Sequence, residues 1–423
     1  MPSNRITEIH VKGLRSLADV RLRLDGLTVL IGDNGSGKSS LIEACELLQR
    51  AASESFAEDM IRIHGGVGSL LRAGAEHLEL GLVIALEGGF HERFEYSFAL
   101  DRSGVILREL LDWVRGELDD GDAVMEQRVG IISREGGLYR SSSFRFLIDE
   151  KDVPPVERTI DPKRLALSSF GEFPPHWLIR EALAALRAID VHLPFDTTAR
   201  WVQRSRGQPS PLRGAATIEP AEALSRFGAN LPNAWSALKN DFSEAHWRET
   251  MDYVRLGLGR DVESVNVRAD PGGGSIALRL KYAGLDEQIP SFAISDGTLA
   301  YLAFVALYRL NTKKSLIAFD EPETHLHPEL LQRVLGFLEA MAKERPVLLA
   351  THSDRLLDGL SDPARSVVLC ELDERRATTL VRPDPDALRD WLTEYRGLGD
   401  VRGAGHAASV LTRREGRGFT CSC

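Results

Sequence analysis

"LIGDNGSGKSS", residues 30–40, decides the fold. Gly32 to Ser39 follow the pattern Gly-x-x-x-x-Gly-Lys-Ser. The stretch leaves a short apolar run, "LTVLIG", and enters "KSSLIEACELLQRAA", where Leu41, Ile42, Cys45 and Leu48 recur at helical spacing. A buried strand, a glycine-rich turn and a helix form the setting in which this pattern binds phosphate. Backbone N–H groups at the helix start converge on anionic oxygens. Gly32, Gly35 and Gly37 let the chain turn and approach closely. Lys38 has the reach for the β- and γ-phosphates, and Ser39 offers a hydroxyl to Mg²⁺.

Outward from this loop, "RITEIHVKG" and "DVRLRLDG" alternate as two strands of a hairpin. Strand patterns such as "LELGLVIALEG" and "RFEYSFALD" fill residues 78–133. From about 176 to 258 the pattern is mainly helical, "HWLIREALAALRAI" being the clearest stretch. "ESVNVRADPGGGSIALRLKYAG" is a hairpin around Gly272–Gly274. Beyond residue 295, helix ("GTLAYLAFVALYRL"), strand ("SLIAFD"), helix ("PELLQRVLGFLEAMAKE") and strand ("PVLLATHS") alternate, which indicates α/β with a parallel sheet.

Three further stretches carry chemistry. In "SLIAFDEPETHLHP" four apolar residues precede Asp320 and Glu321. An acidic residue leaving a buried strand can hold Mg²⁺, and an adjacent carboxylate can take the proton of an attacking water. In "LLATHS", His352 ends another apolar strand, within reach of a γ-phosphate if the two strands are neighbours. In "AISDGTLAYL", Ser295 and Gly297 open a helix whose N–H groups suit an anion; a plain helix cap fits the same residues.

Composition sets the outer bounds. The 423 residues are 43% hydrophobic and 27% charged, ordinary for a globular chain. No apolar run reaches the roughly 18 residues of a membrane span, and "MPSNRITEIHV" lacks the apolar region of a secretory signal. Cys45, Cys370, Cys421 and Cys423 have no metal-ligand spacing and are expected as reduced thiols of a cytoplasmic protein. A net charge of −10 argues against a surface basic all round, while leaving room for one basic groove.

The order of the four motifs resembles the ABC-type ATPase heads of the SMC/RecF superfamily. It is more closely similar to AAA/ABC ATPases related to the OLD family and to those of bacterial retron and anti-phage systems. "SDGT" stands where transporters have Leu-Ser-Gly-Gly-Gln, "DEPETHLHP" is similar to the family's acidic motif, and a Thr-His-Ser follows. "KGLRSL" and "YRGLGD" match segments near the two ends of such heads. The resemblance covers about residues 5–50 and 290–400, and no glutamine of a Q-loop can be identified.

The resemblance implies a P-loop NTPase with a mixed sheet, an N-terminal antiparallel lobe and a helical insertion. Gly32, Asn34, Gly35, Ser36, Gly37, Lys38, Ser39 and Ser40 would bind ATP and Mg²⁺, with Arg15 nearby. Asp320 would support the metal, Glu321 would act as general base and His352 would contact the γ-phosphate. Ser295 and Gly297 would reach the nucleotide of a second copy, so that a homodimer sandwiches ATP.

The expected organisation is an ATPase lobe over 1–175, a mainly helical insertion with a hairpin over 176–290, a second ATPase lobe over 291–405 and a disordered tail over 406–423. The expected function is an ATPase acting on DNA or on a partner effector, such as a nuclease or a reverse transcriptase, in repair or phage defence. A transporter subunit and a slow nucleotide-gated scaffold are the alternatives. The stretch between the phosphate loop and "SDGT" is far longer than a compact transporter head needs, and it carries no long heptad pattern. The chain after His352 is too short for the nuclease domain of the OLD relatives, so DNA cleavage by this chain is not expected. "RWVQRSRGQPSPLR", residues 200–213, puts Arg200, Arg204, Arg206 and Arg213 beside Trp201, a composition suited to nucleic acid and equally to a solvated loop.

Overall fold

The computed structural model describes residues 4–86, 92–118, 124–135, 142–144, 147–148, 151–152, 156–158, 160–169, 177–198, 210–310 and 313–384. β1 (Arg5–Leu14) and β2 (Leu17–Arg23) form the expected antiparallel hairpin, with Val11 opposite Val20. Their alternation buries Ile9, Val11, Val20 and Leu22 on one face and leaves Arg21 and Arg23 on the other. β3 (Leu27–Ile31) is buried along its whole length. The phosphate-loop residues lead from it into α1 (Lys38–Arg50), followed by α2 (Phe56–His64) and α3 (Val67–Leu70).

β4 (His77–Ala85), β5 (Arg93–Asp101), β6 (Ile106–Leu118) and β7 (Val124–Glu135) then run as an antiparallel meander. The short strands β8 (Ser142–Phe144), β9 (Leu147–Ile148), β10 (Lys151–Asp152) and β11 (Val156–Arg158) follow. The eight-stranded sheet has the order β11-β8-β7-β6-β5-β4-β1-β2. α4 (Ala166–Ser169) closes this lobe. The fully buried Glu109 on β6 accepts the N–H groups of Ala166 (2.6 Å) and Leu167 (2.9 Å).

α5 (Trp177–Arg187) uses most of "HWLIREALAALRAI", but Ile189 already belongs to β12 (Ile189–His192). The helical segment that the pattern suggested therefore contains a strand of the central sheet. β13 (Ala216–Thr217), α6 (Leu231–Asn240), α7 (Glu244–Leu258), the hairpin β14 (Val262–Ala269)–β15 (Ser275–Tyr282) and β16 (Ile289–Pro290) come next. α8 (Asp296–Leu310), β17 (Leu316–Asp320), α9 (Pro328–Ala342), β18 (Val347–Ala350), α10 (Asp354–Asp358), α11 (Pro363–Ser366), β19 (Val367–Leu372) and β20 (Thr378–Val381) complete the described chain.

The second sheet has the order β12-β17-β18-β3-β19-β20, parallel except for β20. Both faces are covered, which is why these strands are continuous apolar runs. Alternate residues enter two cores: Leu30, Ala318 and Ala350 pack towards α1 and α5, while Val29, Ile31, Ile317 and Phe319 pack towards α6, α8 and α9.

Candidate functional site

Strand register assembles the site. Phe319 pairs with His192 and Leu349, Asp320 with Ala350, and Ala350 with Leu30. The C-terminal ends of β12, β17, β18 and β3 thus lie level along one edge. The Glu321 N–H donates to the Ala350 carbonyl (2.8 Å) and the Thr351 N–H to that of Leu30 (3.1 Å), extending the register past the strand ends. Open α/β sheets bind ligands at this carboxyl edge.

The phosphate loop is tightly packed from behind. Gly32, at φ 145°, has the Cys370 carbonyl where a Cβ would stand. Gly37, at φ 103°, is backed by the hydroxyls of Thr378 and Ser16. Ser36 and Lys38 are buried and Asn34 and Gly35 are exposed. α1 has no side chain capping its N terminus, and the N–H groups of a first helical turn have no carbonyl four residues back. The Lys38 Nζ donates to the carbonyls of Gly32 and Asp33, both at 2.9 Å. An uncapped helix start with a lysine folded over the loop that precedes it fits a polyphosphate.

Ser39 and Asp320, 281 positions apart, meet where α1 begins: the Ser39 Oγ donates to Asp320 Oδ1 at 3.2 Å. A hydroxyl beside a carboxylate is a hard oxygen pair of the kind Mg²⁺ takes. Burial pushes the Asp320 carboxyl above its ordinary value; the Ser39 bond and the Lys38 charge oppose the rise, and Glu321 and Glu323 add to it. Glu321 is exposed and sits at φ 47°, an uncommon conformation for a residue with a side chain.

Glu323 escaped the sequence reading. Its Oε1 accepts the Thr351 hydroxyl (2.6 Å) and the His352 N–H (3.1 Å). It therefore ties the loop of Glu321 to the loop of His352. The signal was present in "DEPETHLHP", but nothing in one sequence says which of its carboxylates points at another strand.

Arg15 reaches α1 by a two-pronged bond to Glu43 (2.7 and 3.0 Å), which places it alongside the helix that the phosphate loop opens. Ser295 is exposed and caps α8: its Oγ accepts the Thr298 N–H at 3.3 Å and donates to the Thr298 hydroxyl at 2.8 Å. A Cβ on Gly297 would stand 3.0 Å from the His325 carbonyl oxygen, so α8 starts against the loop that follows Asp320. Arg200, Arg204 and Arg206 lie outside the described residues, as do "YRGLGD" and the tail. Arg213 is buried. Its guanidinium donates to the carbonyls of Thr197 (2.6 Å), Ile294 (2.7 Å), Phe292 (3.1 Å) and Ser291 (3.2 Å) and pairs with Asp296. It braces the start of α8 and is not presented to a nucleic acid.

Known structures of similar fold bear on this arrangement. The SmcHead bound to the C-winged helix domain of ScpA is 16% identical, with a TM-score of 0.52 over 89% of this chain and 97% of that one. The Smc head domain with an extended coiled coil, bound to the C-terminal domain of ScpA derived from Pyrococcus furiosus, is 15% identical, with a TM-score of 0.52 over 92% and 99%. These likenesses establish an SMC-type head fold. Protein ea59 of Escherichia phage lambda is 39% identical over 74 residues, which is 17% of this chain and 14% of that protein's length. The profile of one AAA family covers residues 27–358, from β3 through the phosphate loop, Asp320 and His352. The chain belongs to that family, described as an AAA domain, putative AbiEii toxin, Type IV TA system, and carries it on a fold of the SMC-head type.

Proposed function

We propose that this protein binds ATP with Mg²⁺ at the Gly32–Ser40 loop and hydrolyses it. The observation that carries this reading is the Ser39–Asp320 bond at a sheet edge shared with Lys38, Glu321 and His352. When bound, ATP supplies the phosphoryl group and Mg²⁺ offsets its charge. The chain does the rest. Lys38 neutralises phosphate oxygens, Ser39 and Asp320 hold the cation, Glu321 takes the proton of the attacking water, and His352 contacts the outer phosphate. A second copy contributes Ser295 and Gly297, so turnover is tied to a homodimer. The output acts on DNA or on a partner effector such as a nuclease, in repair or phage defence. Any contact with DNA from residues 200–213 falls to Arg200, Arg204 and Arg206, because Arg213 is internal.

Two variants test the reading. Lys38→Ala should weaken ATP binding about tenfold or more, since a charged hydrogen bond is worth roughly 1.5–3 kcal/mol. Glu321→Gln should still bind ATP and turn it over about 10²–10⁴ times more slowly, the usual loss for a general base. Hydrolysis at the wild-type rate in Lys38→Ala would remove the assignment.

A further inference from the structure

Two turns from opposite ends of the chain meet behind the phosphate loop, and one arginine ties them together. Arg72 lies in the connection between α3 and β4. Its Nη1 donates to the carbonyls of Arg376 (2.9 Å), Ser16 (3.3 Å) and Arg15 (3.4 Å), and its Nη2 to that of Arg375 (2.7 Å). Its own N–H bonds the Gly13 carbonyl at 2.9 Å. One guanidinium thus spans the β1–β2 turn, in the antiparallel lobe, and the β19–β20 turn, on the parallel sheet. The planar fork makes this possible; a lysine ammonium cannot serve acceptors so spread out.

Beneath this clamp lies a chain of hydroxyls that ends on the phosphate loop. The Thr378 N–H donates to the Ser16 carbonyl at 2.9 Å. The buried Thr378 Oγ1 donates to the Ser36 carbonyl at 2.9 Å and lies 2.8 Å from the Ser16 Oγ. The single Thr378 hydroxyl proton thus has two acceptors, the Ser36 carbonyl and the Ser16 Oγ. Both oxygens stand where a side chain on Gly37 would be. The Ser36–Gly37 peptide, immediately before Lys38, is therefore held by groups from both lobes.

We propose that Arg72 and Thr378 are positioning residues of the nucleotide site: together they fix the Ser36–Gly37 peptide and so aim the first turn of α1 and Lys38 at the triphosphate. The proposal rests on the reading that this loop binds ATP. Neither residue belongs to the phosphate-binding motif, so their loss acts on binding more than on the chemical step.

The test is a titration of each variant with a fluorescent, non-hydrolysable ATP analogue and Mg²⁺, alongside steady-state ATP hydrolysis. Wild-type protein that fails to bind the analogue would sink the ATP reading itself, separately from this inference. Given wild-type binding, Arg72→Ala and Arg72→Lys should each raise Kd and KM about tenfold or more while kcat stays within about threefold. Thr378→Val, which keeps the shape and removes the donor, should raise KM about three- to tenfold, and Thr378→Ser should restore it. A folded Arg72→Ala with wild-type Kd overturns the proposal. If Arg72→Ala does not fold, the threonine pair decides: KM unchanged in Thr378→Val, or equally raised in Thr378→Ser, overturns it.

Discussion

At the scale of single residues, Asp320 is set against its own ionisation. Its carboxyl sits above the ordinary range, chiefly because it is buried and also because Glu321 and Glu323 are near. A raised native pKa means that the folded protein binds a proton more readily than the unfolded chain does. The ionised form therefore costs stability at neutral pH, and that cost disappears as pH falls through the native pKa. A cation held between Ser39 and Asp320 reverses the balance, since it needs the charge. Asp320→Asn should raise the Tm of the nucleotide-free protein at pH 7, by an amount that shrinks as the pH is lowered. The same change should cut Mg²⁺-dependent turnover roughly 10²-fold or more, as loss of metal support usually does. Thermal melts across pH, paired with hydrolysis assays, would check both signs; a lower Tm at pH 7 would show that the Ser39 bond outweighs burial.

Elements explain what the sequence could and could not disclose. The phosphate loop, the Asp320 strand end and His352 were legible because each is a short local pattern: an apolar run followed by the residue that leaves it. The antiparallel lobe was legible from period-two alternation. β12 was not, because its four residues continue the apolar pattern of α5 and only pairing with β17 makes them a strand. Glu323, Arg72 and Thr378 were missed, and Arg213 was misassigned, for a related reason. Each acts on backbone groups or side chains far along the chain, and no spacing encodes that. Arg213 was read as a surface cation, yet it holds four carbonyls at the start of α8 and in the loop after β12. Arg213→Met should leave those buried acceptors unmet, at about 1–3 kcal/mol for each that water cannot reach. Hydrogen exchange should then speed up over Ser291–Thr298 by about tenfold or more, while exchange in α1 stays as in the wild type. Equal protection of both elements in variant and wild type would count against the brace.

For the whole molecule, the question is how one head becomes an assembly. The two candidate nucleotide elements differ in accessibility. The phosphate loop is backed by both lobes, whereas Ser295 and Asp296 are exposed and Phe292 beside them is 54% exposed. An element that a buried arginine braces from behind and that faces outward is suited to meeting ATP carried by another copy. The Glu321→Gln protein should therefore be a monomer without nucleotide and a dimer with ATP and Mg²⁺, because slow turnover lets the closed pair accumulate. Adding Ser295→Arg should block the dimer by placing a bulky charge in the contact, with the monomer's affinity for ATP kept within about twofold, a difference of under 1 kcal/mol. Light scattering after size exclusion reads the mass, and analogue titration reads the affinity. If the double variant dimerises as well as Glu321→Gln alone, Ser295 caps α8 and does nothing in trans. If it loses ATP binding as a monomer, α8 belongs to its own chain's site, and the pairing of heads must be sought on another face.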